Sequence, residues 1–533
     1  MNKPDSRRDS LQLLLASFSS ALLMACAMPG RLGWWPFLFV ALVPLLNFIS
    51  ANRPGRCFLA GFLAGFLYHI CLLYWIVIVL GRYGGLPFWL AVAAMLLLAV
   101  YMGLYLGFFS GILGLLAATG KGHREIPSGI IYMGPVLWVG LDWLRGLVLT
   151  GFPWMDMGYG LYSQPILIQA ADLGGHHLVT FCLVLINVLI FLFLQSFRSG
   201  THQGRGRVSR PVVIACVLLV LVGGYSLIRY RQLSDDVKKS EKSIIALVQG
   251  NIPQDEKWTP DGKQATLKIY QDLSEEGIKN RQADLVVWPE TALPFYPVND
   301  PLFFSVTGFA EEQNTWLLTG APYYTVIGRH NNMKPALEYF NSALLISPEG
   351  RVTGRYNKQH LVPFGEYVPL GRFLPFLEPL VVHVGNFTPG RSVEPLRLGT
   401  LKAGVLICFE SIFPELARQQ VAAGANLLVN LTNDAWYGRS SAPHQSFAMS
   451  VFRSLETRRS LVRAANTGIS GFVDPLGRVM QDSSLFKPQV LIGEVPVMEK
   501  NTVFVRFGFL FGPVCLVIAC LIFFCGRKNR CPS

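Results

Sequence analysis

Three short stretches in the second half of the chain end an apolar run in reactive side chains. The first is Leu285-Val-Val-Trp-Pro-Glu290-Thr-Ala, a strand-like run that stops at a carboxylate. The second is Tyr356-Asn-Lys358-Gln-His-Leu-Val-Pro-Phe-Gly-Glu366-Tyr, and the third is Gly404-Val-Leu-Ile-Cys408-Phe-Glu410-Ser. A thiol must lose its proton to attack an acyl carbon, and a buried Glu290 could accept it. The tetrahedral intermediate carries an oxyanion, which a fixed ammonium such as Lys358 could stabilise. The protonated carboxyl could then return its proton to a leaving oxygen or nitrogen. Plainer readings stand beside this one. Glu290 could cap a turn, Lys358 could be solvated, and Cys408 could be a small core residue. The residues by themselves leave both readings open.

Those side chains need a scaffold that brings three segments to one edge. Strand-like runs occur at Ser243–Val248, Leu285–Trp288, Trp316–Thr319, Ala343–Ile346, Gly404–Ile407, Asn426–Asn430 and Val490–Val495. Helical stretches such as Gln264–Arg281 and Phe413–Ala423 lie between some of them. Strands apolar on both faces and interleaved with helices predict a layered α/β domain over residues 242–500. Ligands commonly bind at the C-terminal edge of such strands. Of the ten cysteines, only Cys408 falls between Lys242 and Asn501, so this domain forms no internal disulfide and Cys408 is a free thiol.

The rest of the chain is of a different kind. Across 533 residues, 51% are hydrophobic and only 15% charged, which indicates a protein that crosses a membrane several times. Apolar stretches fall at Leu11–Ala27, Trp34–Phe48, Phe58–Leu80, Phe88–Leu116, Ile130–Leu149, His177–Leu194, Val212–Ile228 and Phe504–Phe524. They predict eight spans, seven in residues 1–241 and one in 501–533. The net charge of +13 does not signal nucleic acid, because the basic residues sit in short loops beside apolar segments. Lys3, Arg7, Arg8, Arg53, Arg56, Lys121, Arg124, Arg198, Arg205, Arg207, Arg210, Arg527, Lys528 and Arg530 fall at the N-terminus, in alternate loops and at the C-terminus. The remaining short loops hold only Arg31 and Arg82. The positive-inside rule then puts both termini in the cytoplasm and residues 242–500 outside it. The run ending Leu23-Met24-Ala25-Cys26 has some look of a lipoprotein signal peptide, but Met24 fits such a site poorly, and an uncleaved span is expected. Asp142 and Arg145 share one helix face, where they would neutralise each other in the membrane.

At these residues the chain resembles a known family. The order Glu290, Lys358, Cys408 is similar to that of the nitrilase, or carbon–nitrogen hydrolase, superfamily, whose domain is an αββα sandwich. Finer features resemble its apolipoprotein N-acyltransferase branch. They are Val248-Gln-Gly-Asn-Ile-Pro-Gln254 with Trp258, the Lys358–Glu366 stretch, Cys408-Phe-Glu410-Ser and Asn430-Leu-Thr-Asn-Asp-Ala-Trp436-Tyr-Gly. In the membrane part Leu137-Trp-Val-Gly-Leu-Asp-Trp143-Leu-Arg145, Gly151-Phe-Pro-Trp154, Gly158-Tyr159 and Ala171-Asp-Leu-Gly-Gly175 match as well. The resemblance implies Cys408 as nucleophile, Glu290 as base and acid, and Lys358 as oxyanion stabiliser. Glu366, Glu410, Trp258, Phe409 and Trp436 would be supporting or substrate-binding residues; some members have Tyr at the position of Phe409. The implied reaction passes an acyl chain from a phospholipid, typically phosphatidylethanolamine, through a Cys408 thioester. The acceptor would be the α-amine of the S-diacylglyceryl cysteine that begins an apolipoprotein. A bacterial inner-membrane location follows, with no metal or organic cofactor and no nucleic-acid partner. A membrane-tethered amidase or nitrilase, using water as acceptor, is the alternative.

Overall fold

Proline and glycine decide where the apolar segments of the first half become helices. The computed structural model describes residues 6–118, 129–198, 210–254, 256–327, 336–367 and 387–528. Two compact units emerge: Met1–Ile76 with Trp89–Arg229 and Phe509–Ser533, and Val77–Phe88 with Tyr230–Gly508. In the described residues five helices are long and apolar enough to cross a membrane: Arg7–Ala27, Pro54–Leu73, Phe88–Ala117, Ala171–Phe197 and Arg210–Lys239. The protein is therefore a membrane protein.

The other expected spans are shorter or broken. The second divides into a 3₁₀ turn, Trp35–Phe39, and a helix, Val43–Ala51, each begun by a proline in its first turn. The fifth is the 17-residue helix Gly129–Arg145, followed by Leu149 with φ 55°. The last begins as Val503–Phe507, stops at Gly508 with φ 82°, and resumes over Phe511–Lys528. Lys3, Lys121, Arg124, Arg205, Arg207 and Arg530, on which the expected orientation partly depends, lie outside the described residues.

Arg145 does face Asp142, at 3.5 Å, but its closer partner is the buried Asp156. The other oxygen of Asp156 lies 2.7 Å from His176 Nε2 and 3.3 Å from His177 Nε2. The pair read from helix spacing is thus part of a larger buried ionic network, whose other members lie beyond the helix.

The second unit is built on two six-stranded sheets. The strands are β1 Lys242–Gln249, β2 Leu285–Val287, β3 Trp316–Ile327, β4 Ala336–Ile346, β5 Val352–Asn357 and β6 Leu396–Leu398. They continue as β7 Leu401–Ile407, β8 Leu427–Thr432, β9 Ser460–Ala465, β10 Gly471–Val473, β11 Val479–Asp482 and β12 Gln489–Pro496. One sheet runs β12-β1-β2-β3-β4-β5 and the other β11-β10-β9-β8-β7-β6. β1, β2 and β3 are parallel neighbours in the first sheet, as are β7, β8 and β9 in the second.

Side-chain alternation along each strand explains why two layers form. Ile245 and Leu247 of β1 join Val405, Ile407, Val429, Leu431 and Val462 in the core between the sheets. Ala246 and Val248, the alternate residues, join Leu267, Tyr270, Val306 and Phe309 of the helices Pro260–Ile278 and Leu302–Glu312. Helices Pro414–Ala422 and Ala442–Thr457 follow β7 and β8; the first buries Pro414, Ala417 and Val421, and the second buries its apolar residues throughout. The strands β5, β6, β9, β10 and β11 were not among those read from sequence, being short or carrying charged residues. All seven strands that were read from sequence are present.

Candidate active site

Parallel strands in each sheet deliver their reactive residues just past their ends. β2 ends at Val287, and Glu290 follows two residues after Trp288. Gly320 of the neighbouring β3 permits this turn: a Cβ there would stand 2.5 Å from the Thr291 nitrogen and 2.7 Å from the Glu290 Cα. β7 ends at Ile407, and Cys408 begins a 3₁₀ turn to Ile412. Cys408 has φ 52°, a left-handed conformation that side chains other than glycine rarely adopt. Lys358 follows β5, its N–H donating to the Asn341 carbonyl at 2.8 Å.

The side chains meet through Asn341. Its Nδ2 donates at 2.8 Å to both Glu290 Oε1 and Glu366 Oε1. Lys358 Nζ lies 3.0 Å from Glu366 and 3.6 Å from Glu290. The Asn433 N–H donates to the other Glu290 oxygen at 2.9 Å, and the Val362 N–H to Glu366 Oε2 at 2.8 Å. Lys358 is only 1% exposed, so solvent does little to weaken these attractions. Burial acts against its charge, but Glu366 and Glu290 outweigh that and raise its pKa. The two carboxylates thus favour Lys358 as the charged ammonium.

Cys408 is in the opposite condition. Burial, and next the negative charge of Glu290, push its thiol up to about 12, although Lys358 pulls it back. At neutral pH the side chain is therefore a thiol, and its sulfur can attack only if that proton is taken up.

Glu410 has a different place. Its carboxyl accepts from the N–H groups of Gln359 (2.6 Å), His360 (3.1 Å) and Ile407 (2.7 Å) and from the Tyr356 hydroxyl (3.0 Å). Burial pushes it up to about 7 against those hydrogen bonds. Through Glu410 the loop that bears Lys358 is tied to the turn that bears Cys408. Glu410→Gln should therefore destabilise the domain by about 1–3 kcal/mol, since either amide orientation sets an NH2 against a backbone N–H. Urea unfolding measures this, and an unchanged midpoint would contradict the clamp.

The other residues named from sequence differ in their surroundings. Phe409 is buried and packs against Phe413, ring centroids 5.2 Å apart, with His360 beyond at 5.9 Å. Trp436 meets Tyr83 edge-on at 5.3 Å. Trp258 is 38% exposed, whereas Lys257 before it is fully buried. Sequence reading missed Asn341, Asn433 and Lys257. A lone amide inside the apolar β4 was the one signal for Asn341. Asn433 lay inside a quoted motif without a role. As for metals, one trio of possible ligands among the described residues is Asp156, His176 and His177, in the other unit. Arg145 already neutralises Asp156 there.

The class follows from this architecture and from comparison with known proteins. Residues 244–500 match the family model of carbon–nitrogen hydrolases, so the domain has the nitrilase-like fold. Residues 20–189 match the apolipoprotein N-acyltransferase N-terminal domain. An apolipoprotein N-acyltransferase of Geobacter metallireducens is 39% identical, over 97% of this chain and 95% of that one. Proteins of the same name from Gloeobacter violaceus (33%, over 98% and 95%) and Photobacterium profundum (31%, over 93% and 91%) also match. The chain belongs to the apolipoprotein N-acyltransferase family, and it is an acyltransferase. Among solved structures, Saccharomyces cerevisiae Nit3, of the nitrilase superfamily, aligns at 19% identity over 48% of this chain and 90% of its own, with TM-score 0.37.

Proposed function

We propose that this acyltransferase works by a two-step exchange on Cys408. In the first step the thiol proton passes to Glu290 while sulfur attacks the ester carbon of a phospholipid. Phosphatidylethanolamine, giving its sn-1 chain, is the donor we infer. Lys358 faces the oxyanion. Collapse breaks the carbon–oxygen bond, Glu290 returns the proton to the glycerol oxygen, and a lysophospholipid leaves. In the second step the α-amine of a diacylated apolipoprotein attacks the thioester, Glu290 takes the amine proton and returns it to the Cys408 sulfur as the carbon–sulfur bond breaks, and an amide forms. A thioester suits this step because amines attack it more readily than an oxygen ester.

The observation that carries the reading is a buried Cys408 on a left-handed turn, within the electrostatic influence of a carboxylate and an ammonium that lie 3.6 Å apart. Such a thiol needs a partner to take its proton, and Glu290 is held for that by Asn341 and Asn433. Trp258, Phe364, Phe409 and Trp436 supply apolar surface that would keep water from the thioester. Incubation with phospholipid and no acceptor should add the mass of one acyl group to the protein. Hydroxylamine should remove that mass, and a diacylated lipopeptide should discharge it. Steady release of free fatty acid without acceptor would instead mark a lipid hydrolase, the amidase-like alternative.

The proposed setting is the bacterial inner membrane. Residues 1–241 would supply seven spans and 501–533 an eighth, with the catalytic domain 242–500 in the periplasm, as the loop charges favour. A reporter active only in the periplasm should then work when fused after Gly350 and be silent after Arg530. The reverse pattern would overturn the orientation.

A further inference from the structure

Lys257 is a buried cation that the reaction as described does not use. It is fully buried, and its Nζ makes no hydrogen bond among the described residues. Lysines at structural positions usually carry the ammonium out to water or pair it, because a buried unpaired charge is costly. Among the described residues Lys257 does neither, although the stretch Asn251–Gln254 just before it is held in place. The Asn251 and Ile252 N–H groups donate to Asn466 at 2.9 Å each, and Asn466 Nδ2 returns a bond to the Ile252 carbonyl at 2.9 Å. Gln254 Oε1 accepts from Asn433 Nδ2 at 2.8 Å. Asn433 is the residue whose N–H holds Glu290, so one residue ties the Lys257 loop to the catalytic carboxylate. Among the described residues, Glu290 is the charged group that acts on Lys257. Glu256, next to it in the chain, is exposed.

Counting charge gives the lysine a purpose. Glu290 and Glu366 are two carboxylates served by one ammonium, and Lys358 stands nearer Glu366. That group alone carries one net negative charge in a buried volume. When the Cys408 proton moves to Glu290 and the sulfur–carbon bond forms, the carbonyl electron pair becomes an oxyanion. One negative charge is lost at Glu290 and one gained on the substrate oxygen, so a second cation is needed before and after. We propose that Lys257 is that second cation, a positioning residue acting through Glu290 that leaves Lys358 free to face the oxyanion. This rests on the roles proposed above for Glu290 and Cys408.

Burial pushes Lys257 down to about 8, with Glu290 pulling the other way. The ammonium is present below that pH and lost as pH rises through it. The test is single-turnover thioester formation, followed by intact mass, with phosphatidylethanolamine vesicles and no acceptor. Leaving out the acceptor removes the titration of its amine. Wild-type acylation should fall as pH rises past about 8. Lys257→Met, of similar length and without charge, should acylate on the order of a hundredfold more slowly at neutral pH. It should also lose the falling limb. A merely structural lysine would not set that limb. A folded Lys257→Met variant with the wild-type rate, or with the limb intact, overturns the proposal. Should that variant fail to fold, a wild-type rate that stays level through pH 8 overturns it independently. A wild type that forms no adduct at any pH instead overturns the reading of Cys408.

Discussion

Cys408→Ala forms no acyl-enzyme and transfers no acyl chain, while its unfolding transition stays close to that of the parent. The first half of this expectation follows from the site, where the Cys408 thiol feels the charges of Glu290 and Lys358. The second follows from size. Removing one sulfur from a residue already 9% exposed leaves a small void, and the turn is held through Glu410 and Ser411 as well as by the thiol's contact with Thr432. Cys408→Ser should be nearly as inactive. A hydroxyl holds its proton more tightly than a thiol, and burial that already pushes Cys408 to about 12 would act on it too. The measurement is lipopeptide acylation by mass, on protein purified from cells that lack the host enzyme. Substantial turnover by the alanine variant would remove Cys408 from the reaction.

Lys358→Ala should lower the acylation rate by on the order of a hundredfold or more, the usual consequence of removing an oxyanion-stabilising group. It should also cost about 3–5 kcal/mol of stability, because Glu366 and Glu290 would remain buried without their shared cation. The two effects separate in Glu290→Gln. That variant keeps the contact between Lys358 and Glu366 yet cannot take the thiol proton, so thioester formation should stop at a smaller stability cost of about 1–3 kcal/mol, since either amide orientation sets an NH2 against a donor of Asn341 or Asn433. Stopped-flow or quenched acylation read beside denaturant unfolding distinguishes them. Normal formation of acyl-Cys408 in Glu290→Gln would refute the base role, and a Lys358→Ala variant that acylates at the parental rate would refute the oxyanion role.

Local sequence determined the elements, since hydropathy and side-chain alternation act over a few residues. β2 and β7 are legible as apolar runs, as are the long helices Phe88–Ala117 and Ala171–Phe197. So are the polar residues that end those two runs, because each interrupts a continuous apolar pattern. The break at Gly508 and the shortened second span were also written locally, in glycine and proline, but overall hydropathy hid them. Tertiary structure alone decided the partners. Asn341 lies 51 residues from Glu290, and Asn433 lies 143 residues from it, yet both hold its carboxylate. No periodicity reports a contact across such a separation, because it depends on the order of strands in two sheets. The same holds for Arg145, whose closer partner is not the aspartate one helical turn before it but Asp156, outside that helix. Burial of a charge is likewise a property of the fold. Trp258 and Lys257 are adjacent in the sequence, where the aromatic residue has the stronger claim to the interior. The fold leaves the tryptophan partly exposed and encloses the lysine, because the loop is anchored on Asn466 and Asn433 beside Glu290.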